Sequence, residues 1–567
     1  MLKKIFISLI ACFSFCYCSY AAQTVIEVKA SGATDNKAIA EALEKAASFK
    51  GKPVTLKLFP GIYNFGYKEA IQEKYHVSNT TSEEDSPDAL KHIAVLLKGL
   101  KNLTIDGGGA TWLMKGEMTS FIIDNCENLT LKNINIDYEH PTLTELEVVR
   151  SGADYIVAKV HPTSQYRIED GKLIWYGEGW EFDKGLAQTY DRVRDMTWRS
   201  WGPMRGLKKT IELRPNLLYM QYDSKPEIAP NTIYQMRDGI RDEVCGCVTR
   251  SRNIRLENIN YYYLGNFGVV CQCSESITFD HSNFMPKPGS GRTNAGFADF
   301  IQVSGCKGLI TITNSNFSGA HDDPINIHGT HLQIVEYIDA RTVKVRYMHP
   351  QTHGFQSFFA KDEIELVDTK TLLPLLKARV AKAELVNPHE IVVSLDKAIP
   401  ESIQKKEKVV MENITYTPDV LIKGNTFSRI PTRGILLTTR GKSVIEDNIF
   451  YGMRMSAILV SDDANKWFES GPVHQLTIRR NTFIECNSPI IKIVPEYREF
   501  GGPVHKNISI VENTFETKSP SATAIQAKGV DNLLIKDNFF NMKKKEGFIK
   551  LTDCSNVHPT EDIKDVK

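Results

Sequence analysis

The sequence predicts an all-β chain: a right-handed parallel β-helix with an N-terminal helical cap and two inserted small β-barrel-like domains. Three observations carry this. One phrase recurs, an alternating apolar strand, a polar corner with Asn, then a bulky apolar residue. It ends at Ile136, Tyr261, Phe284, Phe317, Phe427, Phe450, Phe483, Phe515 and Phe540. Where the chain is uninterrupted, these ends fall 23, 33, 23, 33, 32 and 25 residues apart, which suits a coil of three short strands. Two intervals break the rule, 125 residues from Ile136 to Tyr261 and 110 from Phe317 to Phe427, and each excess is the size of a small domain.

The elements follow in order. Residues 1–22 have a cationic start, a short apolar stretch and a small-residue region suited to cleavage after Ala21 or Ala22, so an export signal is expected. A second reading takes Leu9-Ile10-Ala11-Cys12 as a lipoprotein site, anchored through Cys12 in the periplasm or at the cell surface; otherwise the protein is secreted. No later segment is long and apolar enough for a membrane helix. Residues 23–140 hold the cap and first rungs, with Ala38, Ile39, Ala42, Leu43 and Ala46 on one helical face behind an expected Asp35 N-cap. Such a helix protects the open end of a coil from edge pairing.

Residues 141–245 form the first insertion, with "LTELEVV" and "YIVAKV", and 246–330 return to rungs that carry candidate aspartates. Residues 331–415 form the second, barrel-like insertion, where "RTVKVRY" and "EIVVSL" alternate; 416–567 are the C-terminal rungs. In each rung Asn suits a left-handed corner and the following Phe or Ile stacks on its equivalents, a structural role.

Lys plus Arg (69) balances Asp plus Glu (68), and no long block of like charge appears, which argues against nucleic acid and other polyanions as partners. A neutral substrate fits better. Of eleven cysteines, three leave with the signal and the rest are thinly spread, which is no disulfide scaffold. Cys245-x-Cys247 and Cys271-x-Cys273 have the count for a four-thiolate metal site. Residues two apart in a strand share a face, however, and buried cysteine acts as a small hydrophobe, so stacked core cysteines are expected.

The chemistry concentrates in "FADFIQVSGCKGLITITNSNFSGAHDDPINIHGTH", residues 297–331. From Asp299 to Asp322 is 23 residues, one short rung, which would put the two on adjacent coils about 4.8 Å apart. At a corner, Asp323 can face the same groove. Three carboxylates together cannot all ionise freely, so at least one gains a proton and the others stay charged. Glycoside hydrolysis needs that division between acid and base.

The motifs "GFADFIQVSG", "GAHDDPINIHGTH" and "VSDDANKWFESGP" resemble glycoside hydrolase family 110, exported bacterial α-1,3-galactosidases. The resemblance spans roughly residues 25–545. It implies a β-helix with inserted barrels, an inverting mechanism, and release of terminal α-1,3-linked galactose from an oligosaccharide or glycoconjugate such as the blood group B antigen. The aspartates also look like those of polygalacturonase-type hydrolases, which implies Asp322 as general acid and Asp299 with Asp323 holding the water. The chain departs from that pattern in having Ala298 before Asp299 and His321 before the pair, and it lacks the basic groove that galacturonate needs.

The remaining candidates are substrate-binding. His321, His328 and His331 could donate to sugar hydroxyls or hold a metal, and Asn326 is a donor or a corner residue. Arg433 and Arg440 in "PTRGILLTTRG" are fixed-charge donors, Asp462, Asp463 and Glu469 are acceptors, and Trp467 is a flat platform for a sugar ring. Trp198 and Trp201 belong to the barrel core or to the acceptor side. No cofactor and no metal are expected, since hydrolysis of a neutral galactoside requires neither. The alternatives are a β-helix lyase or epimerase acting on an acidic polysaccharide, and a noncatalytic adhesin, which the aspartate cluster disfavours. The long insertions offer a surface for a second copy, and a homodimer is the expectation.

Overall fold

The computed structural model describes residues 24–224, 228–543 and 547–559, so the export signal expected over 1–22 lies outside the described residues. The coils wind into a parallel β-helix. The nine phrase ends stack in one register, Ile136 beside Tyr261, then Phe284, Phe317, Phe427, Phe450, Phe483, Phe515 and Phe540. Rings from Tyr261 to Phe540 form one column with neighbouring centroids 4.5–5.1 Å apart. Truncating one such buried ring costs about 3–5 kcal/mol, so the column is a main source of stability.

The corner differs in one respect from its expected chemistry. In the later rungs the left-handed position falls one residue earlier, at Gly424, Asp447, Arg480, Glu512 and Asp537 (φ 67, 57, 52, 57 and 55°). The Asn that follows turns inward instead. Asn425, Asn448, Asn481, Asn513 and Asn538 form a buried ladder, each amide donating to the next carbonyl oxygen at 2.9–3.0 Å. This satisfies buried polar groups that a turning chain cannot otherwise pair. In the earlier coils Asn133, Asn258 and Asn314 take the left-handed conformation at this corner themselves, and Asn128, Asn253, Asn507, Asn532 and Asn556 do so ahead of their strands.

The helix Asn36–Ala47 buries Ile39, Ala42, Leu43 and Ala46 on the first coil, with Ala38 half-buried. Asp35 holds the N-cap position without capping. Its carboxylate accepts from the Ser31 and Asn64 N–H groups instead, tying the preceding loop to the strand Ile62–Gly66. Among the described residues no helix is long and apolar enough to cross a membrane.

The first insertion runs from Thr144–Ser151 to Thr232–Arg237 as an open seven-stranded antiparallel sheet with a three-stranded sheet beside it, around Trp175, Leu218 and Met220. Trp201 packs at the edge of that core. Trp198 lies outside it, between the guanidiniums of Arg194 and Arg454 at 5.9 and 5.2 Å. In the second insertion six strands, from Leu332–Tyr337 to Val409–Asn413, close into a barrel. The cysteine pairs do not share faces as expected. Cys245 and Cys271 enter the coil interior, Cys247 joins the layer outside the sheet, and Cys273 turns off at φ 48°. Burial pushes the Cys247 thiol up to about 12, in keeping with its apolar packing.

Candidate active site

Three strands set the site: Ile301–Ser304, Ile325–Thr330 and Ile435–Leu437, paired so that Ile301, Ile325 and Ile435 align. Two residues ahead of each stand Asp299, Asp323 and Arg433, which therefore fall in one line across three coils. The register corrects the expectation from spacing, since the stacking partner of Asp299 is Asp323 and not Asp322. A backbone ladder fixes the line: the Asp323 N–H donates to Asp299 Oδ1 at 3.1 Å, and the Arg433 N–H donates to Asp323 Oδ1 at 3.2 Å.

Asp322, on the preceding residue, turns the other way at the corner and keeps 17% of its side chain exposed, whereas Asp299 and Asp323 are buried. One oxygen of each of the three carboxylates nonetheless lies within 4.8 Å of the others. Four groups oppose this negative charge. Arg433 Nε is 2.9 Å from Asp323 Oδ1 and its Nη2 is 2.7 Å from Oδ2. Arg241 and Arg199, both from the first insertion, reach Asp322 at 3.2 and 3.4 Å. Asn326 Nδ2 donates to Asp299 Oδ2 at 3.3 Å.

Burial, reinforced by the Asp322 and Asp323 charges, holds the Asp299 carboxyl well above the usual carboxylate range. Burial also raises Asp323, with Arg433 pulling against it. The deepest carboxylates therefore differ in kind, one starved of positive charge and one gripped by it. The trio is also close enough for a cation, but the guanidiniums of Arg433, Arg241 and Arg199 already supply its countercharge.

The walls come from far along the chain. Glu469 accepts from Asn326 at 3.3 Å and from Asn79 at 3.1 Å, and His328 Nε2 is 3.5 Å away. Trp467 stacks on His349 of the second barrel, centroids 4.3 Å apart, and stays 47% exposed. The Asp463 carboxylate accepts the N–H groups of Asn465, Lys466, Trp467 and Phe468, so it shapes the loop that presents the indole.

Several expected ligand contacts have other partners. His321 is fully buried, its Nε2 3.0 Å from Gln235 Oε1 and its backbone carbonyl accepting from Gln188, so it locks the corner to the first insertion. Burial pushes its imidazole well below the usual range. His331 bonds the Asp463 backbone, and Asp462 accepts from the Gly471 N–H. Arg440 lies in a buried ion cluster with Glu412 and Glu365, at 3.1 and 2.9 Å, under the second barrel. The three histidines thus have different partners, and among the described residues they do not join a group spaced to hold a metal.

Arg199, Arg241, Asn79 and His349 went unrecognised in the sequence. Arg241 had a signal in the charge-dense "RDGIRDE" that ends the first insertion, and Arg199 sits between two tryptophans in "WRSW". Asn79 and His349 had none, because only coil topology brings them to Glu469 and Trp467.

Comparison with known proteins agrees with the architecture. Residues 144–232 match the family model GLAA-B beta-barrel domain I, residues 342–409 match GLAA-B beta-barrel domain II, and residues 409–560 match a right handed beta helix region. The chain is 56% identical over 95% of its length to alpha-1,3-galactosidase A of Bacteroides thetaiotaomicron, 96% of which is covered. It is 38% identical over 85% of its length to alpha-1,3-galactosidase A of Akkermansia muciniphila, with 80% of that chain covered. A second Bacteroides thetaiotaomicron protein, alpha-1,3-galactosidase B, is 32% identical over 97% of this chain and 92% of its own.

Proposed function

The chain belongs to the family of α-1,3-galactosidases, which are glycoside hydrolases, and from that premise we propose how its three carboxylates divide the reaction and which glycans it acts on. It is an exo-acting α-galactosidase. The finer assignment is to glycoside hydrolase family 110, with terminal α-1,3-linked galactose, as on blood group B glycans, as the sugar released. The observation that carries the mechanism is the convergence of Asp299, Asp322 and Asp323 within 4.8 Å in three different environments.

Asp322 is the most exposed of the three and faces the first insertion, which suits it to protonate the departing glycosidic oxygen. Asp323, with Oδ1 bonded by the Arg433 Nε and backbone N–H and Oδ2 2.7 Å from Nη2, orients the attacking water. Asp299 takes a proton from that water. Burial makes it the stronger base of the pair. Inversion at the anomeric carbon follows.

The close spacing requires comment, because facing acid and base in an inverting site are usually about 6.5–9.5 Å apart, and retaining pairs about 5–5.5 Å. A retaining enzyme needs a carboxylate oxygen free to bond carbon. Here Asp323 Oδ1 accepts from the Arg433 Nε and backbone N–H, its Oδ2 lies in ion-pair contact with Nη2 but accepts no hydrogen bond among the described residues, and both oxygens of Asp299 accept hydrogen bonds, from the Asp323 N–H and from Asn326. Such buried, engaged carboxylates suit holding a water from one side better than covalent attack.

The test is galactose release from α-1,3-galactobiose. The parent should release galactose, and Asp322→Asn should lose about 10²- to 10⁴-fold in kcat, the usual worth of a general acid. Loss on the disaccharide that is no larger than loss on p-nitrophenyl α-galactoside would remove Asp322 from the acid role, because the aryl leaving group needs less protonation.

A further inference from the structure

Each arginine that touches the carboxylates is paired: Arg433 has Asp323 and, at 4.0 Å, Asp322, while Arg199 and Arg241 have Asp322. Arg237 does not. It ends the strand Thr232–Arg237 of the first insertion, is 5% exposed, and lies over the Phe297 ring at 4.6 Å. Among the described residues its side chain forms no ion pair within 4.0 Å and no hydrogen bond, and its Nε is buried and unpartnered. Its two Nη groups are not sealed off in that way. Arg241, Asp322, Asp238 and Arg199 are the charges that face it, and burial pulls its guanidinium down to about 9.

The position is fixed from two sides. Gln235, on the same strand, bonds His321, and Gln188, on the neighbouring strand, bonds the His321 carbonyl, so the insertion is locked to the residue next to Asp322. A buried guanidinium with no acceptor is costly, and its planar fork offers donors only. A ligand that brings paired acceptors, such as the hydroxyls of a sugar, removes that cost on binding.

We propose that the first insertion forms the leaving-group subsite, and that Arg237 is the residue in it that binds the hydroxyls of the departing sugar. This rests on Asp322 being the acid, because the acid sits at the glycosidic oxygen and whatever lies beyond it faces the leaving group. Asp299, Asp323, Arg433 and Glu469 then belong to the galactose side, and Arg237 with the exposed Arg199 to the acceptor side. Arg237 is thus a specificity residue for what galactose is attached to.

The experiment compares Arg237→Met and Arg237→Lys with the parent on α-1,3-galactobiose and on p-nitrophenyl α-galactoside, with full pH–rate profiles and melting curves. The lysine variant keeps the charge and stem but loses the fork, which guards against a methionine variant that fails to fold. In both variants KM for the disaccharide should rise so that the loss in kcat/KM exceeds that on the aryl substrate by about tenfold or more, the worth of one charged hydrogen bond. The alkaline limb of the profile should stay where it is. Equal losses on the two substrates, an unchanged KM for the disaccharide, or a displaced alkaline limb would each overturn the assignment, the last by showing that Arg237 acts through Asp322. A parent that releases galactose from neither substrate would instead sink the galactosidase reading itself.

Discussion

Arg433 grips both oxygens of Asp323, at 2.9 and 2.7 Å, while its own backbone N–H donates to the same carboxylate. The pair sits on adjacent coils in register, so the β-helix repeat itself supplies the alignment. Breaking a buried pair from one side leaves a naked charge and costs about 3–5 kcal/mol. Arg433→Met should therefore lower the melting temperature and reduce kcat by at least about 100-fold, since the water-holding carboxylate loses its orientation. Stopped assays with a melting curve on the same sample check both. Near-parental activity would show that Asp323 does not hold the water.

Asp299 gives a prediction with a definite pH sign. Its folded-state proton affinity is raised above that of the unfolded chain, so its favourable contribution is complete below the unfolded value, about 3.9, and is lost as pH rises through the folded one. At neutral pH the native state thus carries the cost of a raised proton affinity that the unfolded chain does not have. Asp299→Asn cannot ionise. It should melt a few degrees higher than the parent at pH 7, converge with it near about pH 4, and be inactive. A variant less stable at pH 7 would mean that the charge is compensated.

Trp467 is half exposed and, among the described residues, stacks on His349 alone, so the fold does not depend on it. Trp467→Ala should leave the melting temperature within about a degree and raise KM about tenfold, the usual worth of an aromatic platform. Isothermal titration with galactose gives an independent value.

Arg440 should behave in the opposite way. Its removal strands Glu412 and Glu365 beneath the second barrel, so Arg440→Met should destabilise by about 3–5 kcal/mol while the folded fraction keeps its KM. Denaturant unfolding together with kinetics at low temperature separates the two effects.

Much of this was legible in the sequence because a β-helix writes its period into the chain. The Phe column was readable residue by residue, since identical corners recur at the same point of each coil. Clustering of the three aspartates was readable for the same reason. The partner of Asp299 was not, because a 23- and a 24-residue spacing both look like one rung and only hydrogen-bond register tells them apart. Arg199, facing Asp322, was hidden because an antiparallel insertion sets its own register, unrelated to the coil period. The partners of Arg440 were not legible because a buried ion pair and a substrate donor use the same residue type, and Glu412 and Glu365 lie well upstream in the second barrel.

The most direct test of the division among the carboxylates is proton NMR of the first galactose released from α-1,3-galactobiose, read before mutarotation blurs the anomeric signal. Water held by Asp299 and Asp323 opposite the acid Asp322 yields β-galactose first. Initial release of α-galactose would mean that one of the buried aspartates attacks carbon directly, and would contradict the roles given to all three.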